Sequence, residues 1–323
     1  MQRVRVSMAA IGLLGATLVA TPAAGVAAAA APAAQAAQSV AECSTVSSAR
    51  VRSGRPGGYD PNDLTRSEAA RAEKQMTAKL RSKGLSWASK LPRGRVTVDV
   101  RVHVITRSDG TGGVSRAQIA DQIAVLNDAF AGRTASQDAP TIFRFATKSI
   151  DYTKNDDWYD WSDPDVDPAD DQEAKAALHK GGYDDLNIYI AGLSDNLLGY
   201  AYFPNEATLI QDGVVVLNES LPGGSAAPYN EGDTLTHEVG HWFGLYHTFE
   251  NGCVAPGDSV FDTPYQADGD NIFFCNESDD TCPAPGRDPV HNFMSYGDDP
   301  CLDRFSLGQS IRMTLIWLAY RAG

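Results

Sequence analysis

The amino-acid sequence predicts an α+β fold, in which a mixed β-sheet and helices are followed by an irregular segment and a final helix. Two observations predict it. Between residues 96 and 217, stretches with an apolar residue at every second position alternate with stretches of helical spacing. Residues 252–303 are instead rich in Cys, Pro, Gly and Asp, which favours loops. At 323 residues the chain suits one catalytic-sized domain with an N-terminal extension.

The first residues are typical of a secretory signal peptide. Arg3 and Arg5 precede an apolar run over residues 8–20, and an alanine-rich stretch with small-residue cleavage sites follows. The apolar run is short for a transmembrane helix, and no second apolar stretch of about 20 residues occurs later in the sequence. We therefore predict a signal peptide over about residues 1–38, an extracellular mature protein and no membrane anchor.

Charge divides the rest of the chain into a basic segment and an acidic body. Residues 39–95 carry twelve Lys/Arg against five Asp/Glu, whereas residues 96–323 have a formal charge of −23. An acidic body of this kind repels phosphates, so it argues against nucleic acid as a partner. It favours cationic substrates or calcium instead.

The regular elements follow from local patterns. Thr65 with Glu68 and Ser306 with Gln309 have the spacing of the capping boxes that begin helices. Residues 151–173 hold nine aspartates and one glutamate without the ligand spacing of an EF-hand, so we interpret them as a solvated acidic loop rather than a calcium site. In chain order the sequence predicts a helix over 65–81, a strand over 96–104, a helix over 115–130, strands over 142–146, 186–190, 199–203 and 214–217, a helix capped by Asp233 or Thr234, and a last helix after Ser306.

The segment HEVGHWFGLYH, residues 237–247, holds three of the six histidines of the chain. His237 and His241 are four residues apart, so on a helix both imidazoles lie on one face and can share a metal ion. Gly244 lets the chain turn sharply away from the helix, so that His247 can supply a third ligand. Three neutral imidazoles and a water give tetrahedral zinc with an open catalytic position.

Glu238 directly follows the first of these histidines. It is placed to take a proton from the zinc-bound water, which can then attack a carbonyl that the zinc polarises. The sequence therefore predicts a zinc-dependent hydrolase. The alternatives are a secreted, non-catalytic binding protein that keeps zinc for structure, against which Glu238 counts, and a zinc enzyme acting on a small amide.

This long motif, with Met294 in NFMSY downstream, resembles the metzincin clan of zinc endopeptidases. With GDSVFDTP and NFMSYGDDPCLDRFSLGQSIRM, it is similar to the pappalysin family, especially its small ulilysin-like bacterial members. The resemblance covers about residues 96–320. It implies a metzincin-like fold: a twisted mixed sheet with long helices in an N-terminal subdomain, an active-site helix, and an irregular, disulfide-tied C-terminal subdomain that ends in a helix.

The resemblance also implies roles for residues around the zinc. Met294 would lie beneath the ligands as a hydrophobic floor, and Tyr296 would donate a hydrogen bond to the tetrahedral intermediate. Asp299 would lie in the pocket for the side chain just after the scissile bond and select Arg or, less well, Lys. Asp258 and Thr263, in GDSVFDTP, would lie near a calcium ion, with an Asp-rich turn as the alternative.

Four of the five cysteines lie between residues 253 and 301. In an exported protein without a C-x-x-C pair they favour two disulfides over a zinc knuckle. Three pairings of four cysteines are possible, and the resemblance implies Cys253 with Cys282 and Cys275 with Cys301. We interpret the three histidines outside the motif as surface or hydrogen-bonded core residues: His103, His179 and His291.

Cys43 is the odd cysteine and lies in the basic segment. Its thiolate could occupy the fourth zinc position and keep a proenzyme inactive, as in other protease families that this family resembles. Ser44 follows it where family members usually have glycine, and a plain unpaired or intermolecular cysteine is the alternative. The charge of the basic segment would hold it across the acidic body, which favours a propeptide over residues 39–95.

The sequence thus predicts a secreted zinc endopeptidase made as a zymogen, with its own propeptide as a partner and with basic protein or peptide substrates. The catalytic domain would cover residues 96–323. Arg93 and Arg95, within LPRGRV, are candidate self-cleavage sites. We expect an extended substrate to pair with the strand at 214–217, taken as an edge strand of the sheet.

Overall fold

A computed structural model describes residues 64–92, 94–162, 164, 167–194 and 196–322. The predicted signal peptide and Cys43 lie outside the described residues. The helices and strands are, in chain order, α1 (Arg66–Ser82), β1 (Val96–Thr106), α2 (Arg116–Phe130), β2 (Phe143–Lys154), α3 (Asp156–Tyr159), β3 (Asp160–Trp161), α4 (Ala169–Leu178), β4 (Asp185–Leu193), β5 (Gly199–Ala201), β6 (Val214–Leu217), α5 (Asp233–Trp242) and α6 (Leu307–Ile316).

The strands form one mixed sheet, which confirms the predicted α+β class. Its order is β2-β1-β4-β6-β5, with β5 antiparallel to β6 and the other neighbours parallel, and the short β3 pairs with the end of β4. The prediction that residues 214–217 form an edge strand is wrong, because β6 lies between β4 and β5. The edge is β5. Alternation of apolar residues reveals which side chains are buried but not which strands are neighbours.

Apolar clusters cover both faces of this sheet. One cluster lies between the sheet and the helices α2 and α5, and it includes Val100, Ile123 and Val239. The other lies on the opposite face and includes Trp161 and, from α4, Ala174. All ten residues of α5, the helix that carries the zinc motif, are buried. Packing against the sheet therefore holds this helix in place.

Both predicted capping boxes are present. Thr65 Oγ accepts the N–H of Glu68 at 3.3 Å at the start of α1, and Ser306 Oγ accepts the N–H of Gln309 at 3.1 Å at the start of α6. In each case the N3 side chain bonds back to the backbone of the cap. Helix starts of this kind depend on residues three positions apart, which is why the sequence locates them.

The interpretation of residues 151–173 as a solvated loop is wrong for much of their length. They contain the end of β2, α3, β3 and the start of α4. Asn155 caps α3 by accepting the N–H of Trp158 at 3.1 Å. Trp161 is completely buried, and its indole N–H donates to Tyr200 Oη at 2.8 Å. Aromatic anchoring thus gives this acidic segment regular structure.

Residues 252–303 are irregular, as predicted, apart from a short 3₁₀ helix at Asp270–Phe273. Disulfides join Cys253 to Cys282 and Cys275 to Cys301, the pairing that the resemblance implies. Helix α6 follows and continues as a π-helical turn over Trp317–Arg321. Among the helices within the described ranges, none is both long enough and apolar enough to cross a membrane.

Candidate active site

The structure brings the three histidines of the motif together. The Nε2 atom of His241 lies 3.1 Å from Nε2 of His237 and 3.0 Å from Nε2 of His247. All three residues are completely buried. Nitrogens bound to one tetrahedral zinc at about 2.05 Å would lie about 3.3 Å apart, so this spacing suits a zinc ion.

Hydrogen bonds determine which ring nitrogen carries the proton. His237 Nδ1 lies 2.6 Å from the carbonyl oxygen of Phe293, and His241 Nδ1 lies 2.8 Å from that of Leu245. A carbonyl oxygen only accepts, so each Nδ1 donates and each Nε2 presents a lone pair. Burial lowers the pKa of His241 well below its usual value and the pKa of His247 to about 3, so the rings are neutral. Lone pairs this close repel unless a cation lies between them, and zinc fits this donor set.

A Schellman motif at the end of α5 turns the chain toward the third histidine. Gly244 has a φ of +84°, in the left-handed region that favours glycine. Its N–H donates to His241 O at 2.7 Å, and the N–H of Leu245 donates to Gly240 O at 3.0 Å. The predicted role of Gly244 is thus present, and the turn brings His247 back to the helix.

The start of α5 differs from the prediction that Asp233 or Thr234 caps it. The N-cap is Gly232, at a φ of +103° and without a side-chain cap. The carboxylate of Asp299 supplies the acceptor instead, since its Oδ2 accepts the N–H groups of Glu231 at 2.7 Å and of Gly232 at 3.1 Å. Glycine has no side chain to cap the helix, and a distant anion at the helix N-terminus stabilises it instead.

Met294 lies against α5 close to the zinc ligands. It is completely buried, and a Cβ added to Gly240 would meet its Sδ at 2.3 Å. Neighbouring backbone groups tie the methionine turn to the site: Phe293 O bonds His237, and Met294 O accepts the N–H of Thr248 at 3.1 Å. Sequence reasoning missed Gly240, whose lack of a side chain permits this contact.

The side chain of Glu238, on α5, faces the edge strand β5. It is 1% exposed. A Cβ added to Gly199, the first residue of β5, would lie 3.0 Å from Glu238 Cγ and 3.3 Å from Oε1. The carboxylate next to the histidines therefore also borders the free edge of the sheet. Gly199 has no motif around it, and only the fold shows that it must be small.

Tyr296 completes an aromatic layer beside the histidines. Its ring centroid lies 4.8 Å from that of His247 and 5.8 Å from that of His237. Phe249 packs on His247, with the two rings stacked 4.8 Å apart, and on Tyr296. The tyrosine is buried. Its predicted neighbourhood is therefore observed, two residues after Met294.

Asp258 and Thr263 bond directly to each other. The hydroxyl of Thr263 lies 2.7 Å from each carboxylate oxygen of Asp258, whose Oδ1 also accepts the N–H of Val260 at 3.0 Å. Burial raises the pKa of Asp258 to about 7. Carboxylate, hydroxyl and the nearby carbonyl oxygen of Val260 are oxygen donors of the kind that calcium prefers.

Two of the histidines outside the motif have other surroundings. His103 is buried, with Nδ1 3.0 Å from Asp151 Oδ1 and Nε2 3.0 Å from Asn187 Oδ1. His179 is half-buried, and burial lowers its pKa. His103 is thus a hydrogen-bonded core residue, as the sequence suggested.

His291 lies beside a disulfide. Its Nδ1 donates to Cys301 O at 2.6 Å. His291, Cys275 and Cys301 have ligand atoms close enough to share a metal, but the two sulfurs are bonded to each other. A disulfide provides no thiolate, so this group does not offer a zinc site.

Two buried ion pairs near the site were missed by sequence reasoning. Lys175 Nζ lies 2.7 Å from Asp171 Oδ1, with both side chains 0% exposed. Arg321 Nη1 lies 2.8 Å from Asp212 Oδ2, and its Nη2 donates to the carbonyl oxygen of Trp242, the last residue of α5, at 2.7 Å. The four-residue spacing of Asp171 and Lys175 was the only local signal, and that spacing is more often found on a solvated helix face.

Comparisons with known proteins agree with this geometry. A family model described as pregnancy-associated plasma protein-A, of the M43 peptidases, matches residues 170–317. An extracellular metalloprotease of Neurospora crassa is 41% identical over 259 residues, which cover 77% of this chain and 85% of the relative. An extracellular metalloprotease of Colletotrichum graminicola is 44% identical over 236 residues, or 70% of this chain and 78% of the relative.

Two solved structures from Tannerella forsythia are also similar. A promirolysin variant is 26% identical, with a TM-score of 0.62, and the match covers 77% of this chain and 86% of that chain. Mature mirolysin in complex with a cleaved peptide is 26% identical, with a TM-score of 0.58, over 71% of this chain and 97% of that chain.

Proposed function

The chain belongs to the pappalysin family of metallopeptidases, as the resemblance implied, and we propose that it is a secreted zinc endopeptidase with Glu238 as general base. The observation that carries the proposal is the convergence of three buried imidazoles, with His241 Nε2 about 3 Å from Nε2 of each of the other two. His237, His241 and His247 would hold the zinc. Bound zinc polarises the scissile carbonyl and lowers the pKa of water.

The residues of the chain supply the remaining chemistry. Glu238 takes a proton from the attacking water and later delivers it to the leaving amine. Tyr296, packed beside His247, donates a hydrogen bond to the oxyanion of the tetrahedral intermediate. The contact of Met294 with Gly240 keeps the ligand-bearing helix in place from below. Exclusion of water by the aromatic layer strengthens each of these interactions.

The edge strand β5 is the proposed binding strand for an extended substrate. It replaces the strand at 214–217, which is internal. Strand addition at a sheet edge supplies backbone hydrogen bonds that do not depend on the substrate sequence. The position of Gly199 against Glu238 supports this choice, since a peptide paired with β5 would bring a carbonyl close to the base.

Asp299 is the proposed selector for Arg or Lys just after the scissile bond. It is 2% exposed, and the acidic body around it favours cationic side chains. Its bonds to the N-terminus of α5 give it a second, structural role. The two roles predict different effects of substitution.

We expect chelator-sensitive cleavage of peptides with Arg or Lys after the scissile bond, restored by added zinc. Asp299→Asn should lower kcat/KM for Arg peptides about 10- to 100-fold relative to Leu peptides, because a hydrogen bond to a charged group contributes about 1.5–3 kcal/mol. It should also lower Tm, since α5 loses part of its cap. Cleavage-site mapping by mass spectrometry and thermal unfolding measure the two effects.

Asp298→Asn is the matched control, since Asp298 is the half-buried neighbour of Asp299. If Asp299→Asn lowers kcat/KM equally for Arg and Leu peptides and also lowers Tm, Asp299 caps α5 but does not select the substrate. Absence of any chelator-sensitive cleavage by correctly processed protein would overturn the endopeptidase proposal itself.

We propose that the Asp258 loop binds calcium. Burial disfavours the charged form of Asp258 and raises its pKa to about 7, and a bound cation would compensate the buried charge. Millimolar calcium should therefore raise Tm, and Asp258→Asn should remove that increase. Differential scanning fluorimetry with and without calcium measures it. The exposed Asp270→Asn serves as control. An equal response to calcium in both variants would rule out this loop as the site.

The zymogen organisation is proposed as residues 1–38 for the signal peptide, 39–95 for the propeptide and 96–323 for the catalytic domain. The similarity to a promirolysin structure and the basic charge of residues 39–95 support a propeptide. The Cys43 thiolate would occupy the fourth zinc position in the proenzyme. Processing is proposed at Arg93 or Arg95.

A Cys43→Ala proenzyme should hydrolyse peptides before processing, whereas the wild-type proenzyme should remain silent, because thiolate is a good zinc ligand. Activity of the secreted precursor, measured together with N-terminal sequencing, tests this. Cys43→Ala protein as silent as wild type would exclude the thiolate switch. Fully active protein with an intact segment from Ser39 to Arg95 would exclude the propeptide.

A further inference from the structure

Arg312 of α6 contacts the turn that leads to the third histidine. Its Nε donates to Gly244 O at 2.7 Å, and its side chain is 4% exposed. The ring of Tyr246 lies 4.7 Å from the guanidinium. Gly244 is the left-handed residue of the Schellman motif, so the guanidinium bonds the peptide group at which the chain leaves α5. The position of this peptide group directly affects where His247 lies.

Residues of α1 and the segment after it surround the rest of this guanidinium. Glu73 forms an ion pair with Arg312 Nη2, which also lies 3.4 Å from Met76 Sδ. The ring of Trp87 lies 5.1 Å away, and its indole N–H is tied back to Thr77 of α1 at 3.1 Å. A buried guanidinium that loses its carboxylate is strongly unfavourable. Part of the proposed propeptide therefore supports Arg312.

Helix α1 also covers apolar surface of the catalytic body. Ala72 packs with Phe203, whose ring lies 5.5 Å from that of His241. Leu80 packs with Leu315 of α6, and both are completely buried. Without α1 these side chains would face water, one layer behind a zinc ligand. The described residues, α1 included, belong to one compact unit.

The cleavage linker is exposed where α1 is buried. Gly94 and Arg95 are exposed, whereas Met76 and Leu80 are 0% exposed. A cut in this linker breaks one covalent connection and leaves the packed surface intact. Release of α1 would in addition weaken its helical structure, because most of the stability of a helix in a protein comes from tertiary packing.

We propose that residues 64–92 stay bound to the catalytic body after the linker at 91–96 is cut, as a second chain of the active enzyme that keeps Arg312 on the Gly244 carbonyl. This deepens the proposed zymogen function and rests on it. Latency is then assigned to residues before Leu64, which include Cys43. A second cut before Leu64 would then release the inhibitory residues, and α1 would remain as the clamp.

The test uses the full chain with the recognition sequence of a site-specific protease inserted between Gly94 and Arg95. Glu238→Gln in this chain prevents self-cleavage, so that retention is measured independently of activity. After the cut, the fragment with residues 64–92 should co-elute with the body in size-exclusion chromatography, identified by mass spectrometry. In the Glu238 form, the same cut together with a second engineered cut just before Leu64 should release the residues that include Cys43 and give chelator-sensitive peptide hydrolysis.

Glu73→Gln should weaken retention about 10- to 100-fold, because the charged hydrogen bond to Arg312 is lost. Lys74→Gln, at the exposed neighbouring position, should leave retention unchanged. Elution of the fragment apart from a body that keeps its Tm would overturn the proposal. Equal retention in the two variants would overturn the role of Glu73 and Arg312. Loss of hydrolysis with retention intact would count against the proposed peptidase instead.

Discussion

Glu238→Gln is expected to lower kcat/KM for peptide hydrolysis by about 10²–10⁴-fold, with zinc content and Tm unchanged. Glutamine has nearly the same volume as glutamate but cannot accept and return a proton. Glu238 is buried between α5 and Gly199, so the isosteric amide keeps the packing of this contact. Peptide kinetics, zinc analysis and thermal unfolding on one preparation measure the three quantities.

Glu231→Gln is the matched control, since it makes the same substitution at an exposed position just before α5. It should behave like wild type. A Glu238→Gln enzyme within tenfold of wild type would contradict the assignment of the base, and the three-histidine site would need another proton acceptor. Loss of zinc in this variant would instead reveal that Glu238 acts on the metal site.

Asp171→Ala is expected to destabilise the fold by about 3–5 kcal/mol at neutral pH, because it leaves Lys175 buried without its counter-charge. Asp171 Oδ1 lies 2.7 Å from Lys175 Nζ and accepts the hydroxyl of Tyr200 at 2.6 Å. Tyr200 belongs to β5, so the same carboxylate anchors the proposed substrate strand. Denaturant unfolding at fixed temperature measures the loss.

The pH dependence of this variant identifies the cause. Burial lowers the pKa of Lys175, while Asp171 raises it, so removal of Asp171 should lower the folded-state pKa further. The unfolded chain then binds more protons than the folded one, and the stability of Asp171→Ala should rise with pH between neutrality and the ordinary lysine pKa of about 10.4. A pH-independent loss would contradict an uncompensated charge.

Replacing both charges should restore most of the stability. In Asp171→Ala with Lys175→Met, no buried ion remains, and buried pairs can often be exchanged for apolar residues at little cost. A double variant no more stable than Asp171→Ala would place the loss in the hydrogen bonds to Tyr200 instead. Peptide kinetics of the double variant then report whether this tyrosine bond positions β5.

Local signals predicted much of the fold. The alternation over residues 96–104 matches β1, and the capping boxes at Thr65 and Ser306 match the starts of α1 and α6. These patterns work because they depend on residues two to four positions apart, within one element. The prediction of a solvated loop over residues 151–173 was wrong, because it was based on their charge and did not consider the two tryptophans that anchor the segment.

Contacts between distant segments had no such signal. Residues 214–217 were correctly predicted as a strand, but the order of the strands places β5, not this strand, at the edge of the sheet. Asp299 caps α5 from 66 residues away, and Gly240 is required only because Met294 lies against it. Partners this far apart in sequence leave no periodic trace in one chain.

The sequence by itself located the three histidines of the candidate zinc site and the adjacent Glu238, because HEVGHWFGLYH places two histidines on one helix face and the third after a glycine turn. It also predicted the positions of most regular elements, but not the full length of β2 and not α3, β3 or α4. Only the tertiary structure decided which strand lies at the edge of the sheet beside Glu238, which carboxylate bonds the start of α5 and how Glu73 reaches Arg312. Those outcomes depend on burial and charge compensation between segments that meet only when the whole domain packs.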